Sequence, residues 1–78
     1  MKKRILPLCN VPEGKCAEIY KIMCKGENRR RFLDLGMIKG TKVVPLFKSP
    51  AGDPTAYLVR SAVIAIRSED AKNILAKI

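Results

Sequence analysis

Three cysteines are the residues of this sequence whose type could bind a metal or carry redox chemistry. Cys9, Cys16 and Cys24 are separated by intervals of seven and eight residues, so they form no Cys-x-x-Cys pair, and the sequence contains no histidine. Three thiolates alone would leave a zinc site short of a ligand. We therefore expect reduced thiols and no cofactor, with a three-cysteine metal site as the weaker alternative.

The sequence offers no set of residues suited to acid–base or nucleophilic catalysis. It has no histidine base for the cysteines, no carboxylates paired at helical spacing and no glycine-rich phosphate loop. A chain of 78 residues buries only about 60% of its unfolded surface, so few apolar residues are left to line a substrate cavity. We expect a single domain over residues 1–78 that is not an enzyme.

No apolar segment approaches the length of about 20 residues that a membrane-spanning helix needs. The basic start of the chain, Lys2 to Arg4, is followed by only two apolar residues before Pro7, which is too short for a secretion signal. We therefore expect a soluble, cytoplasmic protein.

The formal net charge of +9 would draw the protein toward nucleic acid or toward acidic protein surfaces. The 16 basic residues are scattered along the chain, and the only dense runs are Lys2 to Arg4 and Arg29 to Arg31. The aromatic residues are too few and too widely spaced to form a base-stacking platform; they are Tyr20, Phe32, Phe47 and Tyr57. A protein partner is therefore favoured, and a nucleic-acid-binding small basic barrel is the alternative.

The arginine run and the apolar residues after it are the best candidates for partner contacts. Cations at the start of a helix oppose its dipole, so local folding does not require three arginines there, whereas guanidinium groups pair well with carboxylates. The four large apolar residues Leu33, Leu35, Met37 and Ile38 exceed what one face of a short helix can bury, so one or two of them should be exposed. The candidate contacts are Arg29, Arg30, Arg31, Leu33, Leu35 and Met37. Asp34 is expected to accept hydrogen bonds from nearby backbone or to pair with an arginine.

A short helix over residues 29–35 must position these side chains. Asn28 is a suitable N-cap, and Gly36 can adopt the left-handed conformation that ends a helix. Helices this short are held by packing, so some of the apolar residues must also reach the core.

Strand patterns surround that helix. Residues 16–23, 41–48, 55–60 and 63–66 are rich in β-branched and aromatic types. Pro45 predicts either an edge strand or a bulge. Residues 49–54 read as a loop and Ser61-Ala62 as a tight connection.

The end of the chain is less clearly patterned. Ser68 is a suitable N-cap for a single helical turn near residues 68–72. Residues 74–78 fit either a helix or a final strand. The fold class indicated is mainly β, a small barrel of about five to six short strands with one inserted helix.

Nearly the whole chain resembles the FeoA family. The most specific part is the segment Arg30-Arg31-Phe32-Leu33-Asp34-Leu35-Gly36-Met37, followed by Gly40-Thr41. Further matching segments are Gly14 with Ala17-Glu18-Ile19, Gly52-Asp53-Pro54 and Ala65-Ile66-Arg67. Asp34, Gly36, Gly40 and Gly52 are interpreted as structural residues of this pattern.

The resemblance implies an SH3-like barrel and a function as an accessory protein of the bacterial ferrous iron transporter. Members of the family are cytoplasmic accessory proteins that work with a membrane transporter carrying a cytosolic GTPase domain. The expected partner is that GTPase region, without insertion of this chain into the membrane.

Overall fold

A computed structural model describes residues 4–78 of the chain. It contains six strands, two α-helices and one 3₁₀ turn. The strands are β1 (Ile5–Pro7), β2 (Ala17–Ile22), β3 (Lys42–Lys48), β4 (Thr55–Val59), β5 (Ala62–Ile66) and β6 (Ile74–Lys77). The helices are α1 (Gly26–Asp34) and α2 (Ser68–Ala71), and the 3₁₀ turn is Leu8–Asn10.

The strands form one antiparallel sheet in the order β1-β6-β2-β3-β4-β5. The end of the chain is therefore a strand, and β6 lies between β1 and β2. The mainly β architecture with a short inserted helix is confirmed, and a second helix of one turn occupies residues 68–71.

Two β-bulges explain why the strand alternation in the sequence is imperfect. The β2–β6 register shifts between Ile19 and Lys21, so Ile19 and Ile22 are both buried although they are three residues apart. The β3–β4 register shifts between Pro45 and Phe47. The predicted bulge at Pro45 is therefore present, although β3 lies inside the sheet and not at its edge.

The core lies against the inner face of the sheet and is closed by α1. Phe32 and Met37 are fully buried there. The amide of Met37 donates to the carbonyl of Phe32 over 3.0 Å, and the amide of Gly36 donates to the carbonyl of Leu33 over 3.0 Å. These two bonds form a Schellman motif, which ends the helix and brings Phe32 and Met37 together.

Both helices begin differently from the sequence prediction. The helix α1 starts at Gly26 with Lys25 at its N-cap, because Gly26 adopts a positive φ of 63° that turns the chain into the helix. Asn28 lies inside the helix, and its amide nitrogen is 3.3 Å from a carboxylate oxygen of Asp70. Ser68 is likewise the first helical residue of α2 and not its cap.

The β4–β5 turn is displaced by one residue from the predicted Ser61-Ala62. Val59 pairs with Ala62, so the connecting residues are Arg60 and Ser61. Arg60 has a φ of 57° and is the one non-glycine residue between positions 4 and 78 with a positive φ. Glycine usually occupies the first position of a two-residue hairpin loop when that position has a positive φ, so an arginine there does not signal the turn.

Candidate partner-binding surface

The three arginines of α1 have separate roles in the structure. The guanidinium of Arg29 donates to the carbonyl oxygen of Ile22 over 2.9 Å, so Arg29 ties the helix to the end of β2. Arg31 lies over the ring of Phe32, 4.7 Å from its centroid. Arg30 is exposed and makes no hydrogen bond or ion pair within residues 4–78. Arg30 is therefore the arginine most available to a partner.

The apolar candidates divide between the surface and the core. Leu33 and Leu35 are 38% and 40% exposed, and Ile38, which was grouped with them, is 50% exposed. Met37, predicted as a partner contact, is fully buried because the Schellman motif turns it against Phe32. Three apolar side chains are thus exposed here, more than the one or two expected.

The outer side of α1 forms a groove of about 370 Å³. Its lining combines two guanidinium groups, one leucine and one carboxylate, and consists of Gly26, Arg29, Arg30, Leu33 and Asp34. We call Arg30, Arg31, Leu33 and Leu35 the α1 surface. Such a surface can pair with carboxylates and bury an apolar side chain of another protein.

Of the four residues interpreted as structural, the three glycines have backbone conformations that favour glycine, and Asp34 is the exception. Asp34 was expected to bind backbone or an arginine, but it is exposed and has no hydrogen bond or ion pair among residues 4–78. The hydrogen-bond donors at this end of the helix, which are backbone amides and the Arg60 and Thr41 side chains, donate to backbone carbonyls instead. Gly36, Gly40 and Gly52 have φ values of 88°, 91° and 88°.

The cysteines do not come together as a ligand set. Cys16 is exposed, Cys9 is half-buried and Cys24 is buried. Within residues 4–78 no three cysteine, aspartate, glutamate or histidine side chains are grouped as a metal site would require. Burial, reinforced by the nearby Asp70 carboxylate, raises the pKa of the Cys24 thiol above its ordinary value of 9.0. A raised pKa keeps Cys24 protonated, which is unfavourable for a metal ligand.

A second surface was missed by the sequence analysis. It is a groove on the outer face of β3 and β4, which we call the β3–β4 groove, and its volume is about 590 Å³. Its lining residues are Ile38, Lys39, Gly40, Thr41, Lys42, Val44, Leu58 and Arg60. The signal was present: Val44 and Leu58 are apolar at positions that strand alternation assigns to solvent, since Val43 and Val59 beside them form the core.

None of the helices within residues 4–78 is long and apolar enough to cross a membrane.

The chain is similar to known proteins in both sequence and structure. The family described as the FeoA domain matches residues 6–78. The FeoA protein of Chlorobium tepidum is 29% identical, with a TM-score of 0.89 over 94% of this chain and 70% of its own. The FeoA-like protein of Clostridium acetobutylicum is 29% identical, with a TM-score of 0.84 over 100% of this chain and 90% of its own.

A third similar structure is the zinc complex of Stenotrophomonas maltophilia FeoA, described as a prokaryotic SH3 domain protein and a candidate activating factor of bacterial ferrous iron transport. It is 26% identical, with a TM-score of 0.78 over 88% of this chain and 86% of its own. No curated protein matches the chain. The expected SH3-like fold is confirmed by these similarities.

Proposed function

Because this chain belongs to the FeoA family, which is associated with ferrous iron transport, we propose that it is a cytoplasmic, non-enzymatic accessory protein that binds the cytosolic GTPase region of the ferrous iron transporter. The α1 surface is the contact we assign to this interaction. The FeoA family is an accessory family of iron transport, which agrees with a role as a regulatory binder.

The observation that carries this proposal is that an arginine without a partner lies close to exposed apolar side chains on α1. Leu33 and Leu35 each leave more than a third of their surface exposed in a chain too small to spare apolar residues. Arg30 lies on the same helix without a partner in residues 4–78. Interface centres are typically built from apolar anchors with arginine beside them.

The test is binding of the purified protein to the detergent-solubilised, full-length ferrous iron transporter of the same organism. The variant Arg30→Gln with Leu33→Gln removes one free charge and one exposed apolar side chain from the α1 surface. We expect it to weaken binding by about tenfold or more, since interface anchors typically contribute more than about 1 kcal/mol each.

The matched control is Arg67→Gln with Ile5→Gln. Arg67 and Ile5 are an exposed arginine and an exposed apolar residue outside α1, and Ile5 is 48% exposed. The control makes the same change in charge and also replaces one exposed aliphatic side chain by glutamine, so it should bind like the unmodified protein. Equal binding by all three proteins would rule out the α1 surface, and absence of binding by the unmodified protein would rule out the proposed partner.

A further inference from the structure

The β3–β4 groove has an apolar floor. Val44 and Leu58 lie directly opposite each other in the β3–β4 ladder, on the face of the sheet that points away from the core. Leu58 is 38% exposed, and Ile38, 50% exposed, contributes to the wall. Cross-strand neighbours of this kind have side chains close enough to present one continuous apolar surface.

The apolar floor continues onto the edge strand. Val63 pairs with Leu58 in the β4–β5 ladder and is 62% exposed. Val44, Leu58 and Val63 therefore form a row across three strands. A chain this small gains stability from every apolar side chain it buries, so a row in which Leu58 and Val63 are exposed and Val44 is half-buried is a feature of a binding surface.

The charged side chains that line the groove are all basic. Lys39, Lys42 and Arg60 line it, and the lining residues include no carboxylate. Glu18 lies opposite Lys42 in the register of β2 and β3, but it is not one of the residues that line the groove. The ammonium of Lys39 is 5.3 Å from the centroid of the ring of Tyr20, which lines a neighbouring depression that Lys39 shares with the groove. Three cations around an apolar floor are complementary to an apolar side chain flanked by carboxylates.

We propose that the β3–β4 groove binds an extended acidic segment of another protein, with one apolar side chain on the floor and carboxylates on the rim. The apolar anchor would pack on Val44 and Leu58, and the flanking carboxylates would pair with Lys42 and Arg60. This binding site is distinct from the α1 surface and does not depend on the identity of the transporter.

Charge and shape favour this occupant over two others. A second copy of the chain carries the same net charge of +9 and only seven acidic residues, so two basic grooves would repel. A lipid surface is flat, whereas the floor of the groove is bounded by Ile38 and by the basic rim. An extended peptide can enter such a groove and contact both floor and rim.

The test uses a short fluorescent peptide in which leucine alternates with aspartate, mixed with the full chain labelled with ¹⁵N. We expect amide shifts to change around residues 38–42, 44, 58 and 60, and binding to weaken as salt is added. A peptide with serine in place of leucine should bind about tenfold or more weakly, because it lacks the anchor.

Two pairs of variants separate the groove from the overall charge. Lys42→Gln should weaken peptide binding severalfold, whereas Lys48→Gln, at the other end of the same strand and outside the groove, should not. Leu58→Ser should weaken it by about tenfold, whereas Phe47→Ser should not; Phe47 is 59% exposed and does not line the groove.

Four outcomes would overturn the proposal: no binding of the leucine–aspartate peptide, equal binding of the serine peptide, equal losses in Lys42→Gln and Lys48→Gln, or amide shifts confined to α1. Binding to phosphatidylserine vesicles without peptide binding would also contradict it in favour of a lipid surface. Dimerisation of the free chain through β3–β4, shown by the same amides shifting with protein concentration, would contradict it in favour of a second copy. None of these readouts involves the transporter.

Discussion

The carbonyl oxygen of Gly36 holds the end of α1 against two other turns. It accepts hydrogen bonds from the Ile38 amide at 2.9 Å, from the Thr41 hydroxyl at 2.9 Å and from Nε of Arg60 at 3.3 Å. The positive φ of Gly36 is what aims this carbonyl away from the helix. Gly36 therefore connects α1 with the start of β3 and with the β4–β5 turn.

Replacing Gly36 by alanine should destabilise the protein more than the same change at Gly40. Both positions have a φ near 90°, which costs a residue with a Cβ about 1–2 kcal/mol. A Cβ at Gly36 would also lie 2.5 Å from Nε of Arg60, whereas nothing lies within 4 Å at Gly40. Because the Arg60 side chain can move aside, the excess should not be more than about 1 kcal/mol, the typical net value of one hydrogen bond. Urea unfolding measures both losses.

The variant Arg60→Gly provides the control for this explanation. It removes the side chain that the new Cβ would meet, and glycine suits the φ of 57° at this position. Gly36→Ala and Gly40→Ala should then cost the same in the Arg60→Gly background. A difference that persisted there would show that Arg60 is not its cause.

The arginine run shows where residue types stop being informative. Arg29, Arg30 and Arg31 are chemically identical, and the sequence assigns them a common role. The structure separates them because a helix rotates by about 100° per residue, with 3.6 residues per turn. Arg29 consequently reaches the carbonyl of Ile22, while Arg30 has no partner in the described part of the chain.

At the scale of elements, the sequence predicted which segments are strands and helices better than where they begin. The positions of glycine and proline located the strands and the end of α1. Glycine permits a positive φ and proline fixes φ, so both act on the backbone locally. The bulge at residues 45–47 was indicated by Pro45, which cannot donate to a sheet ladder. The bulge at residues 19–21 could not be predicted, since it depends on pairing with a strand distant in the sequence. The β3–β4 groove depends on the same long-range pairing, which places Val44 opposite Leu58.

The start of α2 illustrates capping by a residue distant in the sequence. Arg67 occupies the N-cap position and provides no side-chain hydrogen bond. Instead, a carboxylate oxygen of Asp53 accepts a hydrogen bond from the amide of Ser68 over 2.8 Å. A residue of the loop before β4 therefore caps the helix that follows β5. A capping rule that considers only residues next to Ser68 could not predict this contact.

Substituting Asp53 should test this cap directly. Asp53→Ala removes the acceptor and should lower the free energy of unfolding by about 1 kcal/mol, as for other N-cap losses. Asp53→Asn keeps an oxygen at the same position and should retain most of the stability. Urea unfolding compares the three proteins, and equal losses in both variants would indicate that the charge of Asp53, and not its hydrogen bond, is what matters.

Over the whole molecule, the two candidate surfaces share one chemical character. The α1 surface and the β3–β4 groove each place exposed aliphatic side chains beside unpaired or rim cations. Ile38 and Lys39 link them, because both line the groove and a further depression that also includes Arg29 and Leu33. The net charge of +9 is therefore combined with apolar contacts, a combination suited to acidic protein surfaces.

This combination also leads to a prediction about nucleic acid, the alternative partner of a basic barrel. Stacking on bases requires exposed aromatic rings, but Phe32 and Tyr57 are buried. Tyr20 is half-buried and has Lys39 and Lys77 over its ring, at 5.3 Å and 5.5 Å. Among residues 4–78 this leaves Phe47 as the one exposed aromatic side chain.

Binding to labelled single-stranded RNA, measured by fluorescence anisotropy, should therefore be weak and purely electrostatic. At physiological salt we expect a Kd no tighter than about 10⁻⁶ M, the range of non-specific phosphate contacts, and a steep loss of binding as salt is raised. Phe47→Ala should leave this binding unchanged, because base stacking contributes about 1–3 kcal/mol per base only where a ring takes part. Tighter binding that Phe47→Ala abolished would instead show that the exposed ring stacks on bases, and it would favour the nucleic-acid function over a protein partner.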